Sequence, residues 1–383
     1  MLKSEDAAIH TRPPFDERTV DFLDCLSKAI LKDARSKEYG DVITFGFWIR
    51  KASIRQIQKQ YGELGKRIGR GIVFHIAPSN VAVNFAYSLT AGLLSGNANI
   101  VRLPSKPFAQ VDLICEAIDA AQKQFPDMAP SIEFVRYGHD KKITDELSAV
   151  CDARVIWGGD GTIREIRQSP IGPMAVDIAF ADRYSIAVID AGKYIKTPDK
   201  TAVAQNFYND TYLTDQNACT SPKLVVWLGE NVTEAKDLFW RHLYEYAGPR
   251  YEIQGVRAVH KLSRMMLLAA KFEGVENIGG ADNIIWRVKV ETLSDEIFGC
   301  SGHSGFFMEY TARNLCDILP VCGGKCQTLG YFGLEKSEID CFLSECGPKG
   351  LDRVVPIGKT MEFSLVWDGY DLIRELSRQI IVI

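Results

Sequence analysis

The chain has 383 residues, 46% of them hydrophobic and 25% charged, the balance of a folded globular protein long enough for two domains. Its formal net charge of −4 excludes a general basic surplus that would draw it to nucleic acid or anionic lipid. No apolar run reaches the roughly 20 residues of a membrane span, and residues 1–14 lack the apolar core of a secretory signal, so the expected location is the cytoplasm.

Residues 15–68 read as helical. Phe22, Leu23, Leu26, Ile30 and Leu31 recur at helical spacing, and Ile54, Ile57, Tyr61 and Leu64 repeat the pattern. From Gly71 the texture changes. Gly71-Ile-Val-Phe-His-Ile76 is a short β-branched run that stops at Ala77-Pro78-Ser79-Asn80, and an apolar helix is expected from about Val83 to Leu94. A strand at Asn99–Leu103, a helix at Phe108–Phe125, a strand at Ile132–Arg136 and a helix at Lys142–Val150 follow, then a strand at Ala153–Trp157. Further strands are expected at Tyr184–Asp190 and Lys223–Leu228, the second followed by a helix at Thr233–Tyr246. Strands and helices that alternate in this way specify an α/β fold built on parallel sheets. The expected divisions are a helical segment 1–67, a cofactor-binding domain 68–210, a catalytic domain 211–350 and a C-terminal segment 351–383. That last segment is expected to return to the cofactor domain or to meet an oligomer partner.

The ten cysteines are scattered through a long chain with no export signal, which argues against a disulfide framework. The gaps among Cys316, Cys322, Cys326, Cys341 and Cys346 are five, three, fourteen and four residues, unlike the paired spacing of structural zinc sites. No metal is expected.

Two segments carry candidate chemistry. Gly158, Gly159, Asp160, Gly161 and Thr162 form a glycine turn between a strand and a helix, where backbone N–H groups can face a pyrophosphate. The turn departs from G-x-G-x-x-G, and its glycines serve close packing equally well. Asp215-Gln-Asn-Ala-Cys219-Thr-Ser-Pro222 sets one thiol among small and polar residues just before a strand. A nucleophilic cysteine there can capture an acyl group as a thioester, and a buried apolar thiol is the alternative.

Together these segments resemble the aldehyde dehydrogenase superfamily, and within it the LuxC-type fatty acyl reductases, over roughly residues 68–375. Gly71–Asn80, Gly92–Asn97 and Val101–Ser105 are similar to the opening of that superfamily's cofactor domain. Asp215–Cys219 is similar to its nucleophile segment. Gly350–Gly358 and Trp367-Asp-Gly-Tyr370 resemble the LuxC subgroup. The resemblance implies an aldehyde-dehydrogenase-like pair of α/β domains, the Rossmann-like one for the cofactor. It makes Cys219 the nucleophile and gives the oxyanion to the Asn80 amide and the Cys219 N–H, a donor of the kind that contributes about 2.7–4 kcal/mol elsewhere. It assigns the cofactor to Arg102, Ser105, Gly158, Gly159, Asp160, Thr162 and Glu296. An arginine at 102, where the superfamily commonly has lysine, favours NADPH, with NADH the alternative.

One departure from the superfamily bears on the reaction. Hydrolytic members carry a glutamate in the region that here reads Ile178-Ala-Phe-Ala-Asp182, where none is present. Its loss suits an enzyme that accepts an activated acyl group from coenzyme A or another carrier and reduces it, with water excluded. Asp182 stands close enough in sequence to substitute. His303, in a loop of small residues, is a candidate acid for the aldehyde oxygen, and His75 suits either a supporting or a purely structural role. The resemblance further implies a partner that makes acyl-adenylates, and association of copies of the chain. An aldehyde dehydrogenase, an acyltransferase using the same cysteine and a non-catalytic scaffold are the alternative functions.

Overall fold

A computed structural model describes residues 11–78, 81–279 and 282–383. The chain divides into two units, Met1–Ala181 with Phe363–Ile383, and Asp182–Glu362.

The first unit begins with helices α1 (Glu17–Lys32), α2 (Gly40–Trp48) and α3 (Lys51–Tyr61). The Asp16 carboxylate caps α1 by accepting the Thr19 N–H at 3.2 Å. Helical spacing puts Val20, Phe22, Leu23, Leu26 and Ile30 on the buried face of α1. After the short strand β1 (Arg67–Gly69) the chain alternates. In order come β2 (Ile72–Ile76), α4 (Asn84–Leu94), β3 (Ala98–Arg102), α5 (Ala109–Gln124), β4 (Ile132–Val135), α6 (Lys141–Val150), β5 (Ala153–Trp157), α7 (Asp160–Ile166) and β6 (Val176–Phe180). The sheet runs β4-β3-β2-β5-β6, and every pairing is parallel. β2 lies at its centre, which is why all five of its residues are buried.

One of those five is His75. Its Nδ1 meets Ser88 Oγ at 2.7 Å and its Nε2 meets Asn99 Oδ1 at 2.9 Å, while Trp157 Nε1 donates to the same Ser88 Oγ at 3.0 Å. Burial pushes the imidazole down to about 4, so at neutral pH it is an uncharged link tying α4 to three strands. Gly92 of α4 faces this link, and a Cβ there would come within 1.9 Å of Asn99 Oδ1. The unit closes with residues from the far end of the sequence: Ser377–Gln379 pairs antiparallel with β1, and the Ile380 N–H reaches Lys66 O at 2.8 Å.

The second unit comprises β7 (Tyr184–Asp190), α8 (Ala191–Lys196), α9 (Lys200–Thr211), β8 (Pro222–Leu228), α10 (Val232–Ala247), α11 (Gly255–Lys271), β9 (Glu276–Asn277), β10 (Trp286–Lys289), β11 (Phe306–Thr311), β12 (Cys326–Phe332), α12 (Lys336–Cys346) and β13 (Arg353–Pro356). Its sheet order is β13-β12-β7-β8-β11-β10-β9, parallel except for β9. Two irregularities interrupt it at one level. Between β12 and β7, Cys326 lies opposite Tyr184 and Thr328 opposite Ser185, so Gln327 is an extra residue. Between β8 and β7, Pro222 lies opposite Ser185 and Leu224 opposite Ile186, so Lys223 is an extra residue too.

Three expectations are corrected. The units divide at Ala181/Asp182 rather than at 210/211, because β7 hydrogen-bonds between β12 and β8 inside the second sheet. The return to the first unit begins at Phe363 rather than at 351, because β13 pairs with β12. The cysteines are not all uncoupled: a disulfide joins Cys316, in a 3-10 helix after β11, to Cys346 at the end of α12.

Asp210, wholly buried near the end of α9, holds the turn after β13. Its Oδ2 accepts the Gly358 N–H at 2.6 Å and its Oδ1 the Thr360 N–H at 3.2 Å. Burial outweighs these bonds and pushes the carboxyl up to about 6. Because the folded value lies above the unfolded one, this group's stabilisation is complete below about pH 4. It is lost as pH rises through about 6, by on the order of 3 kcal/mol. Urea midpoints at pH 4.5 and 7.5, compared between wild type and Asp210→Asn, are expected to show this loss in the wild type alone. Equal pH dependence in the two proteins would remove Asp210 as its source.

Candidate active site

The site in the second unit starts with a loop locked into an unusual shape. After α9, a 3-10 turn at Tyr212–Thr214 leads to Asp215 (φ 51°) and Gln216 (φ 58°), two consecutive non-glycine residues in the left-handed region. That conformation costs of order 1 kcal/mol per residue and persists only where surroundings over-determine it. Here they do. The fully buried Gln216 side chain accepts the N–H groups of Gly305 and Phe306 at 3.0 and 3.1 Å and donates to the carbonyls of Pro222 and Phe306 at 2.9 and 3.0 Å. Asp215 takes the Ser304 N–H on its carbonyl at 2.9 Å and the Tyr251 hydroxyl on its carboxylate at 2.7 Å.

Three residues beyond Gln216 lies Cys219, half-buried. The Ser185 hydroxyl of β7 donates to its carbonyl at 2.7 Å, and the Gln327 amide of β12 donates to its Sγ at 3.4 Å. Lys223 is buried behind the loop. Its Nζ donates to Gln216 O, to Gly302 O at 3.2 Å and to His303 Nδ1 at 3.1 Å. His303 Nδ1 also lies 3.2 Å from Gln216 O, so this nitrogen meets both a donor and a carbonyl acceptor. Burial pushes Lys223 down to about 7, opposed by Cys219. Burial, and next the Lys223 charge, push His303 down to about 4. The structure therefore gathers Cys219 and His303 into one cluster, with His303 uncharged at neutral pH. Glu296 belongs to the same unit but is exposed, in the 3-10 helix Asp295–Cys300; its neighbour Asp295 accepts the Tyr184 hydroxyl.

The other expected residues lie in the first unit, apart from Asn80, which falls outside the described residues. In the parallel sheet, β2, β3 and β4 proceed to one side while β5 and β6 lie on the other, so the strand order reverses between β2 and β5. The carboxyl ends at such a switch point form the natural crevice for a dinucleotide. Gly158 and Gly159 leave β5 there, and Gly159 caps the seven-residue α7. A Cβ on Gly158 would sit 3.2 Å from Thr162 Cγ2, so glycine lets Thr162 close over the turn. Asp160 is half-buried in the first turn of α7. Arg102 ends β3 with its guanidinium 4.5 Å above the Tyr137 ring and one nitrogen donating to Gly138 O at 2.9 Å. Ser105 is exposed in the loop beyond it. The backbone turn and the switch point fit a nicotinamide dinucleotide.

Sequence reasoning passed over Ser185, Lys223 and Gln327. Lys223 left a trace, as a lone charge opening the otherwise apolar run Leu224–Leu228. Gln327 left none, because its role depends on a bulge that a single sequence does not show. Among the described residues no cluster of His, Cys, Asp or Glu is arranged to hold a metal ion, and no helix is long and apolar enough to cross a membrane.

The family model described as acyl-CoA reductase (LuxC) matches residues 8–379. The chain belongs to the LuxC family. Among LuxC relatives, it is 22% identical over 337 residues to a long-chain acyl-protein thioester reductase of Aliivibrio fischeri, covering 87% of this chain and 66% of the relative. It is 28% identical over 315 residues to the protein of that name from Vibrio harveyi, covering 81% and 63%. The chain thus spans less than two thirds of the length of these LuxC proteins. Solved structures give the fold. An NAD-dependent benzaldehyde dehydrogenase from Corynebacterium glutamicum superposes with TM-score 0.64 at 14% identity, covering 95% of this chain and 84% of that one. A Thermus 1-pyrroline-5-carboxylate dehydrogenase with bound NAD gives 0.62 at 12% identity, covering 95% and 80%. The LuxC chain therefore has the two-unit aldehyde dehydrogenase fold.

Proposed function

We propose that this chain reduces an acyl thioester to the aldehyde through a covalent thioester on Cys219. The observation that carries the reading is the Cys219 sulfur on a loop locked by Gln216, with the Gln327 amide directed at it, in a member of the LuxC family. The Cys219 thiolate attacks the carbonyl of an acyl-CoA or acyl-protein thioester, the carrier thiol departs, and the acyl group stays on sulfur. A reduced nicotinamide, NADPH with NADH as the alternative, supplies the hydride. Arg102, Ser105, Gly158, Gly159, Asp160 and Thr162 of the first unit are proposed to hold it. The Cys219 N–H is proposed to donate to the oxyanion of the resulting thiohemiacetal, whose collapse frees the aldehyde and returns the thiolate. His303 is the proposed hydrogen-bond donor to the aldehyde oxygen. The missing glutamate at 178–182 supports reduction over hydrolysis.

An acyl-adenylate-forming ligase is the proposed supplier of acyl groups. Self-association is proposed as well, supported by the apolar stripe of Val256, Val259, Leu262 and Met266 exposed along α11. The test mixes purified protein with NADPH or NADH and acyl-CoAs of graded chain length, following cofactor and aldehyde together. One aldehyde per cofactor oxidised is the expected result. Acylation of Cys219 without cofactor oxidation would replace the reading with an acyl relay. Absence of both acylation and cofactor use, with acyl-CoA and acyl-protein donors alike, would leave a scaffold.

A further inference from the structure

Parallel sheets seldom carry bulges, and the second unit has two, on either side of Ser185 at one level of β7. Each adds one polar residue to a strand whose other positions near it are buried, and each of those residues, Lys223 and Gln327, is itself buried. An extra residue re-aims a side chain that regular pleating would send elsewhere. At Gln327 the result is an amide Nε2 3.4 Å from Cys219 Sγ. At Lys223 it is an ammonium anchored under the same loop by Gln216 O, Gly302 O and His303 Nδ1. Between them, Ser185 fixes the Cys219 carbonyl. Three adjacent strands thus converge on one cysteine.

We propose that the paired bulges hold Cys219 in its thiolate form, Gln327 through an N–H···S hydrogen bond and Lys223 through the positive charge of its ammonium form. Gln327 touches the reacting sulfur, whereas Lys223 is a positioning residue that acts through the loop and through its field. The inference rests on Cys219 being the nucleophile. The thiol proton passes to water, and no other bond changes. An amide donor favours the charged form of a sulfur acceptor, and a nearby cation does the same. Among the described residues, the titratable groups around this cluster include His303, with Arg264 and His260 near it, Asp215, bonded to the Tyr251 hydroxyl, and, beside Gln327 and Ser185, Cys326, Tyr184 and Arg183.

The test needs neither cofactor nor acyl donor. Alkylation of the full chain by iodoacetamide is timed from pH 5 to 10 and read by mass on the Cys219 peptide, which keeps the other thiols out of the signal. The wild-type midpoint is expected below the ordinary thiol value of about 8.5. Gln327→Met and Lys223→Met are each expected to raise it by about one unit, slowing alkylation at pH 7 about tenfold while leaving the alkaline plateau unchanged. Lys223→Arg, which keeps the charge, is expected to stay near wild type. A purely structural role would leave the midpoint in place. A wild-type midpoint at or above about 8.5 overturns the inference without any variant, as do unshifted midpoints in folded Gln327→Met and Lys223→Met. If Cys219 proves to be an ordinary thiol and yet carries the acyl group, this inference alone fails; if the thiolate forms but no acyl group is ever taken up, the functional reading fails.

Discussion

Cys219→Ala is expected to keep the fold and to lose aldehyde formation by a factor of about a thousand or more, since a covalent route without its nucleophile has no first step. The side chain is small and half-buried, so its truncation removes little packing. Labelled acyl-CoA separates the possible outcomes. Denatured wild-type protein should retain label that neutral hydroxylamine releases, as a thioester requires, and Cys219→Ala should retain none. Cys219→Ser adds a chemical signature, because acyl transfer to the weaker oxygen nucleophile gives an ester that resists the same treatment. Label persisting on the alanine variant, or aldehyde produced at the wild-type rate, would move the nucleophile elsewhere.

The second large effect concerns stability. Glu309 of β11 is wholly buried, accepts Trp227 Nε1 at 3.1 Å and Arg287 Nε at 2.5 Å, and has Lys236 Nζ at 3.9 Å. It is the carboxylate on which two cations, from β10 and α10, converge. Glu309→Ala leaves both charges in a shielded place without their counter-ion, and the expected loss is about 3–5 kcal/mol. Glu309→Gln keeps the shape and an acceptor for Trp227, and is expected to lose less. Adding Arg287→Met to the alanine variant should recover part of the loss by removing one stranded charge. Urea unfolding followed by tryptophan fluorescence measures all four proteins, with Trp227 reporting from inside the network. A loss below about 1 kcal/mol in Glu309→Ala would show that solvent reaches the cluster.

Much of the fold was legible because parallel strands buried on both faces are written as β-branched runs, as in Ile72–Ile76 and Leu224–Leu228. Strand β6 was not, since Val176-Asp-Ile-Ala-Phe180 puts a carboxylate in its second position for Arg154 and Arg167 to hold. The unit boundary was misplaced for a related reason. Whether β7 closes the first sheet or opens the second depends on pairing partners, which local pattern does not encode. At the site, residues acting through local sequence, such as Asp215 to Cys219, stood out. Gln327, 108 positions from Cys219, did not. Cys316 and Cys346 lie 30 positions apart, and their spacing gave no sign that the 3-10 helix after β11 and the end of α12 would meet.

The first unit is made from both ends of the sequence, with the second inserted between Ala181 and Phe363. During synthesis, the 181 residues of the insert leave the ribosome as one continuous stretch with all their sheet partners present. β1 must wait for Ser377–Gln379, some 300 residues later, before its pairing is made. Contacts of such sequence separation form slowly and late. Until then the N-terminal segment stands as an incomplete module that a chaperone or a protease can engage, and the arrival of Ser377–Gln379 closes that interval.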